Sequence, residues 1–373
     1  MKKLKTLFIT CGGTGGHFYP GLTVAREFQN KGGQVLLLLS GVNAKRQAEI
    51  ANAAGIEAKT LPMMPHPFRN PFKFISGALG GTSISRRLIK SENPDALLSM
   101  GSFASTPAVF AAKLTGTPLF LHDGNARIGK ANRIFSRLAR ILAVGYPAVN
   151  GDKAKCPVIE TGMPVRQTLI NHKGISKSEA IIELNAKFSA NLSSGLITFL
   201  IFGGSQGAAV FNEYFPEAFC KIAQEPGCPK FQVLHLAGKG KAEQIKCYQN
   251  APFPHILLES SEDMHLFLAA ADVAACRSGG SSLAELAIYG LPSVLIPYPY
   301  AAEGHQTDNA RHFSTKDAAI LIDNADLNAS KAEEIIRCFL QAPENLRSMA
   351  DKMRSLAKPD AAADLLAIID KNI

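Results

Sequence analysis

No two of the seven cysteines (Cys11, Cys156, Cys220, Cys228, Cys247, Cys276, Cys338) stand in a C-x-x-C spacing, and several sit inside apolar runs. Their odd number and wide scatter argue against a disulfide framework, the missing C-x-x-C argues against a cysteine-based redox motif, and both fit free buried thiols in a reducing compartment. No apolar run approaches the length of a transmembrane helix. The opening Met1–Cys11 faintly imitates a signal peptide, but its apolar core is short and Gly12-Gly13 interrupts it, so it reads as a first strand. Zinc-finger spacing, an RRM-type aromatic motif and contiguous basic blocks are all lacking, which argues against nucleic acid as a partner. Charged residues are only 19% of the chain and hydrophobic residues 46%, a globular mixture without a disordered tail. The net charge of +9 and pI near 9.1 still favour an anionic partner, either a phosphorylated substrate or an acidic membrane surface.

The 373 residues suit two domains. Leu7–Thr10 reads as a strand, Cys11–His17 as a glycine loop, and Pro20 as part of the opening turn of a helix through Val24, Ala25 and Phe28. Gln34–Leu39 is the next buried strand. The same layout returns at Leu196–Phe202, with the loop Gly203–Ala208, a helix through Phe211, Phe215 and Phe219, and the strand Phe231–Ala237. Further strand signals lie at Ala96–Ser99, Pro118–His122, Ile141–Val144 and Val158–Glu160. Two doubly wound α/β domains facing a shared cleft are the economical inference.

Neither glycine loop spells G-x-G-x-x-G, neither second strand ends in an acidic residue for a dinucleotide ribose, and neither loop is a P-loop. No D-x-D is present to hold a metal-bound diphosphate, so neither a metal nor another cofactor is expected. The most informative stretch is Asp272–Asn309. It reads as a strand at Val273–Cys276, a turn at Arg277–Ser282, a helix through Leu283, Leu286 and Ile288 stopped by Gly290, then a strand at Ser293–Ile296. A glycine turn entering a helix presents amides and a positive dipole end to a phosphate. The following Glu303, His305, Gln306 and Asn309 fall where ligands collect, beyond the carboxyl ends of the strands. The stretch reads as the donor pocket for a nucleotide-activated sugar.

Three motifs carry a resemblance: G-G-T-G-G-H near the start, G-G-S-Q-G-A in the middle, and C-R-S-G-G-S-S-L-A-E followed by H-Q-T-D-N-A. In order and over essentially the whole chain, they resemble the MurG family, the UDP-N-acetylglucosamine transferases that complete the lipid-linked peptidoglycan precursor. The resemblance implies a GT-B fold of two Rossmann-like domains about a central cleft. Residues 1–162 would form the acceptor and membrane-side domain and 163–345 the donor domain, with 346–373 packing back on the first. It implies inverting transfer from UDP-N-acetylglucosamine to the 4-hydroxyl of the muramoyl sugar in undecaprenyl-diphosphate-linked muramoyl-pentapeptide, at the cytoplasmic face of the inner membrane. Another GT-B enzyme, acting on a different lipid or natural product or epimerising a UDP-sugar, is the alternative. A binding protein without catalysis is the third reading, and His17 beside an intact donor pocket counts against it.

By resemblance His17 is the candidate base, worth roughly 10²–10⁴ in rate, and a loop-shaping histidine is its bland counterpart. Thr14, Gly15 and Gly16 match donor or acceptor diphosphate contacts, Asn125 a contact to the transferred sugar, and Arg166 a nucleotide contact. Ser205 could donate to a phosphate or cap a helix. Gly280, Ser281 and Ser282 offer the phosphate turn. Glu285 would bind the ribose diol, although Ser282–Glu285 also spells a capping box. Gln306 and Asn309 match contacts to sugar hydroxyls, and Ser261 a backbone contact to uracil. Phe68, Phe72, Phe74, Ile75 and Leu79, followed by Arg86, Arg87 and Lys90, interleave rings and cations as an anionic membrane surface requires; a helix packed on the sheet is the alternative. Three places depart from the family pattern. Met100-Gly101-Ser102-Phe103 replaces M-G-G-Y, His122-Asp123-Gly124-Asn125 replaces H-E-Q-N, and Glu303-Gly304 precedes His305-Gln306 without the usual aspartate.

Overall fold

The computed structural model describes residues 3–13, 15–63, 71–204 and 206–373, without the side chains of Pro71, Lys73 and Phe74. The chain divides into two units, Met1–Arg166 with Lys358–Ile373, and Gln167–Ala357. The first runs β1 (Thr6–Gly12), α1 (Gly15–Asn30), β2 (Gln34–Ser40), α2 (Ala44–Ala53), β3 (Ala58–Thr60) and α3 (Pro71–Glu92). It continues with β4 (Ala96–Ser99), α4 (Thr106–Thr115), β5 (Leu119–Asp123), α5 (Lys130–Phe135), β6 (Ile141–Val144) and β7 (Val158–Glu160).

These strands form one parallel sheet in the order β3-β2-β1-β4-β5-β6-β7. Successive strand side chains point to opposite faces, and a parallel sheet with helices on both sides must bury both. The run Leu36–Leu39 meets that demand. Leu37 and Leu39 join Phe18, Leu22 and Val24 of α1, while Leu36 and Leu38 join Ala108 and Val109 of α4. Each leucine so buried contributes about 1.5–3 kcal/mol. Helix α1 opens on Gly15, so Pro20 lies in its second turn rather than the opening one. A proline there has no N–H for the carbonyl four residues back, that of Gly16.

The second unit runs α6 (Gln167–Asn171), α7 (Lys177–Phe188), β8 (Ile197–Phe202), α8 (Ala209–Ile222), β9 (Phe231–Leu236), β10 (His255–Leu258) and α9 (Met264–Ala270). Then come β11 (Val273–Cys276), α10 (Gly280–Tyr289), β12 (Ser293–Leu295), α11 (His305–Ser314), β13 (Ala319–Leu321), α12 (Ala329–Gln341) and α13 (Glu344–Ser355). Its parallel sheet is ordered β10-β9-β8-β11-β12-β13. Phe211, Phe215 and Phe219, spaced four apart on α8, pack with Phe199 and Phe231 of the sheet and Phe339 of α12. The last helix, α14 (Ala361–Lys371), belongs to the first unit and packs on α1, adding Leu365, Leu366 and Ile369 to that core. The return to the first unit starts at Lys358, and α13 packs on α10 in the second.

In each sheet the strand order reverses once, between β1 and β4 and between β8 and β11. Such a switch point leaves a crevice at the carboxyl ends of the strands, where open α/β sheets bind ligands. The glycine loops and the turn at Arg277–Gly279 fall at these two places.

Candidate active site

At the first unit's switch point the loop after β1 crosses the end of β2. Gly12 has φ +141°, and a Cβ there would lie 2.4 Å from the Ser40 carbonyl oxygen, so only glycine fits. Gly15 and Gly16 are exposed at the head of α1, and Thr14 lies outside the described residues. His17 follows, half-buried, with Nδ1 2.9 Å from the carbonyl oxygen of Met100 at the end of β4. A carbonyl can only accept, so Nδ1 carries the proton; in the neutral ring the lone pair is then on Nε2. One hydrogen bond across the switch point thus sets the tautomer a general base needs.

His122 ends up differently. It is 1% exposed, and its Nε2 donates to the Gly162 carbonyl at 3.1 Å. Burial, above all, lowers its pKa, with the Gly162 hydrogen bond and Asp123 opposing. It is a neutral packing group. Asp123 organises the loop after β5. Its Oδ2 accepts from the Gly129 amide (2.8 Å) and Asn132 Nδ2 (3.0 Å), and its Oδ1 from the Asn125 amide (3.2 Å). Asn125 is therefore held, half-buried, at the carboxyl edge of the sheet. A Cβ on Gly124 would meet Met163 Sδ at 2.7 Å, so Met163 occupies the room a longer side chain would take. Arg166 lies over Tyr19 of α1, its guanidinium carbon 5.9 Å from the ring centroid.

The second unit repeats the plan. Gly207 has φ +67°, and a Cβ there would lie 2.0 Å from the Ala237 carbonyl oxygen, so this glycine loop also packs backbone on backbone. Ser205 in the same loop lies outside the described residues. After β11, Arg277 is clamped. Its Nη1 donates to the carbonyls of Ile296 (2.9 Å) and Pro297 (3.0 Å) and to Asn324 Oδ1 (2.7 Å). Its guanidinium carbon sits 4.9 Å from the Phe211 ring centroid and 5.6 Å from that of Tyr298. Burial lowers its pKa, yet an arginine stays charged.

Helix α10 begins at Gly280 with Gly279 as N-cap and no side-chain cap. Ser282 therefore lies inside the first turn, and the capping box spelled by Ser282–Glu285 does not form. Gly280 is buried, and Ser281, Ser282 and Glu285 are half-buried around that helix head. A helix of this length directs its first amides and its positive dipole end outward. Asn309 is fully buried and donates to the Ser278 carbonyl at 3.0 Å; Gln306 Oε1 accepts from the Tyr298 amide at 2.9 Å. Ser278 Oγ in turn donates to the Gln306 carbonyl at 2.8 Å. Both amides thus tie α11 to its neighbouring loops. Ser261, after β10, accepts from the Asp263 amide at 3.1 Å.

On α3 the side chains of Phe72 (84% exposed), Ile75 (54%) and Leu79 (69%) stand in solvent. At about 100° per residue they fall within about 60° of one another, on the same stripe as Arg86 and Lys90. Arg86, Arg87 and Lys90 are exposed. Phe68 and the side chain of Phe74 lie outside the described residues. Among the described residues, no helix is long and apolar enough to cross a membrane, and no three acidic, histidine or cysteine side chains cluster as a metal site. The residues sequence reasoning passed over are Arg277, Ser278 and Asp123. The first two stand inside C-R-S-G-G, where a charged residue between a buried strand and a glycine turn was the available signal.

Residues 7–144 match the glycosyltransferase family 28 N-terminal domain and residues 198–365 the family 28 C-terminal domain. Together with the two parallel sheets, these matches define the class, a two-domain GT-B glycosyltransferase. A Desulforamulus reducens protein named UDP-N-acetylglucosamine--N-acetylmuramyl-(pentapeptide) pyrophosphoryl-undecaprenol N-acetylglucosamine transferase is 32% identical over 378 residues, covering 97% of both chains. The crystal structure of MurG from Acinetobacter baumannii superposes with a TM-score of 0.77 at 25% identity, covering 98% of this chain and 99% of that one. The chain belongs to the MurG family. A UDP-GlcNAc 2-epimerase from Neisseria meningitidis, solved bound to UDP-GlcNAc, shares the fold, with a TM-score of 0.71 at 14% identity over 99% of this chain and all (100%) of that one.

Proposed function

We propose that this protein transfers N-acetylglucosamine from UDP-N-acetylglucosamine to the 4-hydroxyl of the muramoyl sugar in undecaprenyl-diphosphate-linked muramoyl-pentapeptide. The observation that carries this reading is the 32% identity along 97% of both chains to a relative of that name. The chemistry is a displacement at the anomeric carbon. The acceptor hydroxyl loses its proton to His17 Nε2 and forms the new glycosidic bond. The bond to UDP breaks through an oxocarbenium-like state, with inversion. His17 suits the task because its Nδ1 proton is committed to Met100.

The second unit holds the nucleotide. The head of α10, with Gly280, Ser281 and Ser282, stabilises the departing diphosphate; a helix terminus contributes roughly 0.3–1 kcal/mol when exposed and about 2 when partly buried. Glu285, an acceptor-only carboxylate on the same helix, takes the ribose diol. Gly15, Gly16 and Thr14 serve diphosphate binding, Asn125 the transferred sugar and Arg166 the nucleotide. Ser205 donates to a phosphate, the Ser261 backbone meets the uracil, and Gln306 and Asn309 shape the sugar pocket through the loops they tie. Phe72, Ile75 and Leu79, with Phe68, Phe74 and the basic residues downstream, bring the protein to the anionic cytoplasmic face of the inner membrane as a peripheral protein. The test supplies labelled UDP-N-acetylglucosamine with the lipid-linked muramoyl acceptor. The disaccharide-bearing lipid is the expected product, and its absence with active controls overturns the reading.

A further inference from the structure

β13 ends the second unit's sheet, so one of its sides has no strand beside it. Ile322, just past it, donates its amide to the Leu295 carbonyl of β12 at 3.0 Å. Backbone direction alternates along a strand, so Leu321 turns its N–H and C=O the other way, to the free edge. Such an edge is a template for another strand. Two cavities, of about 490 and 310 Å³, flank it and share Ile320, Cys338 and Phe339 as lining. Together they make one groove, walled by α11 and α12 at the larger end and by α12 and α13 at the smaller. Ile320 is 37% exposed within it, an apolar side chain on an edge of the kind that proteins guard with charge.

Charge tells the two ends apart. At the smaller end Lys352 and Asp317 pair with each other at 3.0 Å. At the larger end Lys331 is taken by Glu334 (2.8 Å) and Arg311 by Asp308 (3.7 Å). Asp323 and Asp326 remain, both exposed, and among the described residues no cation pairs with either. The groove thus ends on free negative charge in a chain of net charge +9. A second copy suits it poorly. Antiparallel pairing of all three β13 residues would set Asp317 of one copy opposite Asp323 of the other, carboxylate against carboxylate.

We propose that this groove docks an extended segment of another protein. The segment's backbone pairs with Leu321, an apolar side chain sits on Ile320 and Phe339, and a lysine or arginine meets Asp323 and Asp326. Main-chain pairing supplies affinity and the side-chain contacts supply selectivity, as in strand addition to sheet edges generally. The opposite charge steers the encounter.

The probe is a short blocked peptide of alternating valine and threonine with a lysine at each end, added to the full chain. Cys338 is the exposed thiol of the groove, whereas the other cysteines are buried or half-buried. Its maleimide labelling, followed on the fragment that carries it, should slow as the peptide binds. Glutamates in place of the lysines should weaken binding by about tenfold or more. N-methylation of one alternate set of the peptide's amides should do the same, and methylation of the other set should be tolerated. Asp323→Lys combined with Asp326→Lys should reverse the preference between the lysine and glutamate peptides at an unchanged melting temperature. If that variant melts low, the peptide comparisons on the native chain decide. Unchanged Cys338 labelling at millimolar lysine peptide overturns the proposal. So does equal binding of the glutamate peptide, or tolerance of methylation on both sets of amides. A dimer in sedimentation that the peptide dissociates would put a second copy in the groove and overturn it too.

Discussion

Replacing Phe72, Ile75 and Leu79 together with serine should detach the protein from anionic membranes while leaving its fold alone. Their exposures of 84%, 54% and 69% amount to about two fully exposed side chains. At about 1.5–3 kcal/mol per side chain transferred from water, the stripe supplies about 3–6 kcal/mol of membrane affinity. A factor of ten is about 1.4 kcal/mol, so the triple variant should bind roughly 10²–10⁴-fold more weakly. Arg86, Arg87 and Lys90 add about 1 kcal/mol each near an anionic surface, a part that salt removes and the serines do not. Sedimentation with phosphatidylglycerol vesicles at low and high salt measures both parts. Because the three side chains lie in solvent, melting temperature and donor binding should stay close to native. A partition coefficient reduced less than about threefold would refute the reasoning, as would a melting temperature that falls with it, because the stripe would then be packing inside the protein.

His17→Ala should lower kcat by roughly 10²–10⁴ with UDP affinity kept, read by steady-state kinetics and calorimetry; equal loss of both would make the residue structural. Gly207→Ala should unfold the second unit's glycine loop, since the new Cβ would meet the Ala237 carbonyl oxygen at 2.0 Å with φ +67°. A drop of several degrees in melting temperature checks it. Acid should weaken the second unit through His235, which burial holds at a pKa of about 3 against an ordinary 6.5. Below pH 6.5 the unfolded chain takes up a proton that the folded chain refuses, so stability falls as pH drops toward 3. Denaturant titrations across that range should show the slope, and His235→Gln should flatten it.

Central strands were legible, and of the four edge strands only β7, Val158–Glu160, was. Val273–Cys276, Ala96–Ser99 and Ile141–Val144 are buried throughout, so their apolar runs announced them. β3 and β13 hold exposed or half-exposed residues, and β10 is only partly buried; each ends a sheet, where one side needs no cover. The glycine loops were readable because a backbone-on-backbone crossing admits no side chain, as at Gly12 and Gly207. The clamp at Arg277 was not, since its partners are carbonyls 19 and 20 positions away and Asn324, which no local pattern joins. Helix starts misled at two points. Gly279 takes the cap that Ser282 spelled, and Gly15 opens α1 well before Pro20.

The oxygen that orients the imidazole of His17 belongs to residue 100, two positions before strained Ser102. The tautomer of the ring is therefore fixed by main chain, in the turn that leaves β4. Exchanging that turn for another enzyme's would re-aim the ring, whereas replacing the Met100 side chain alone would leave the anchoring carbonyl in place.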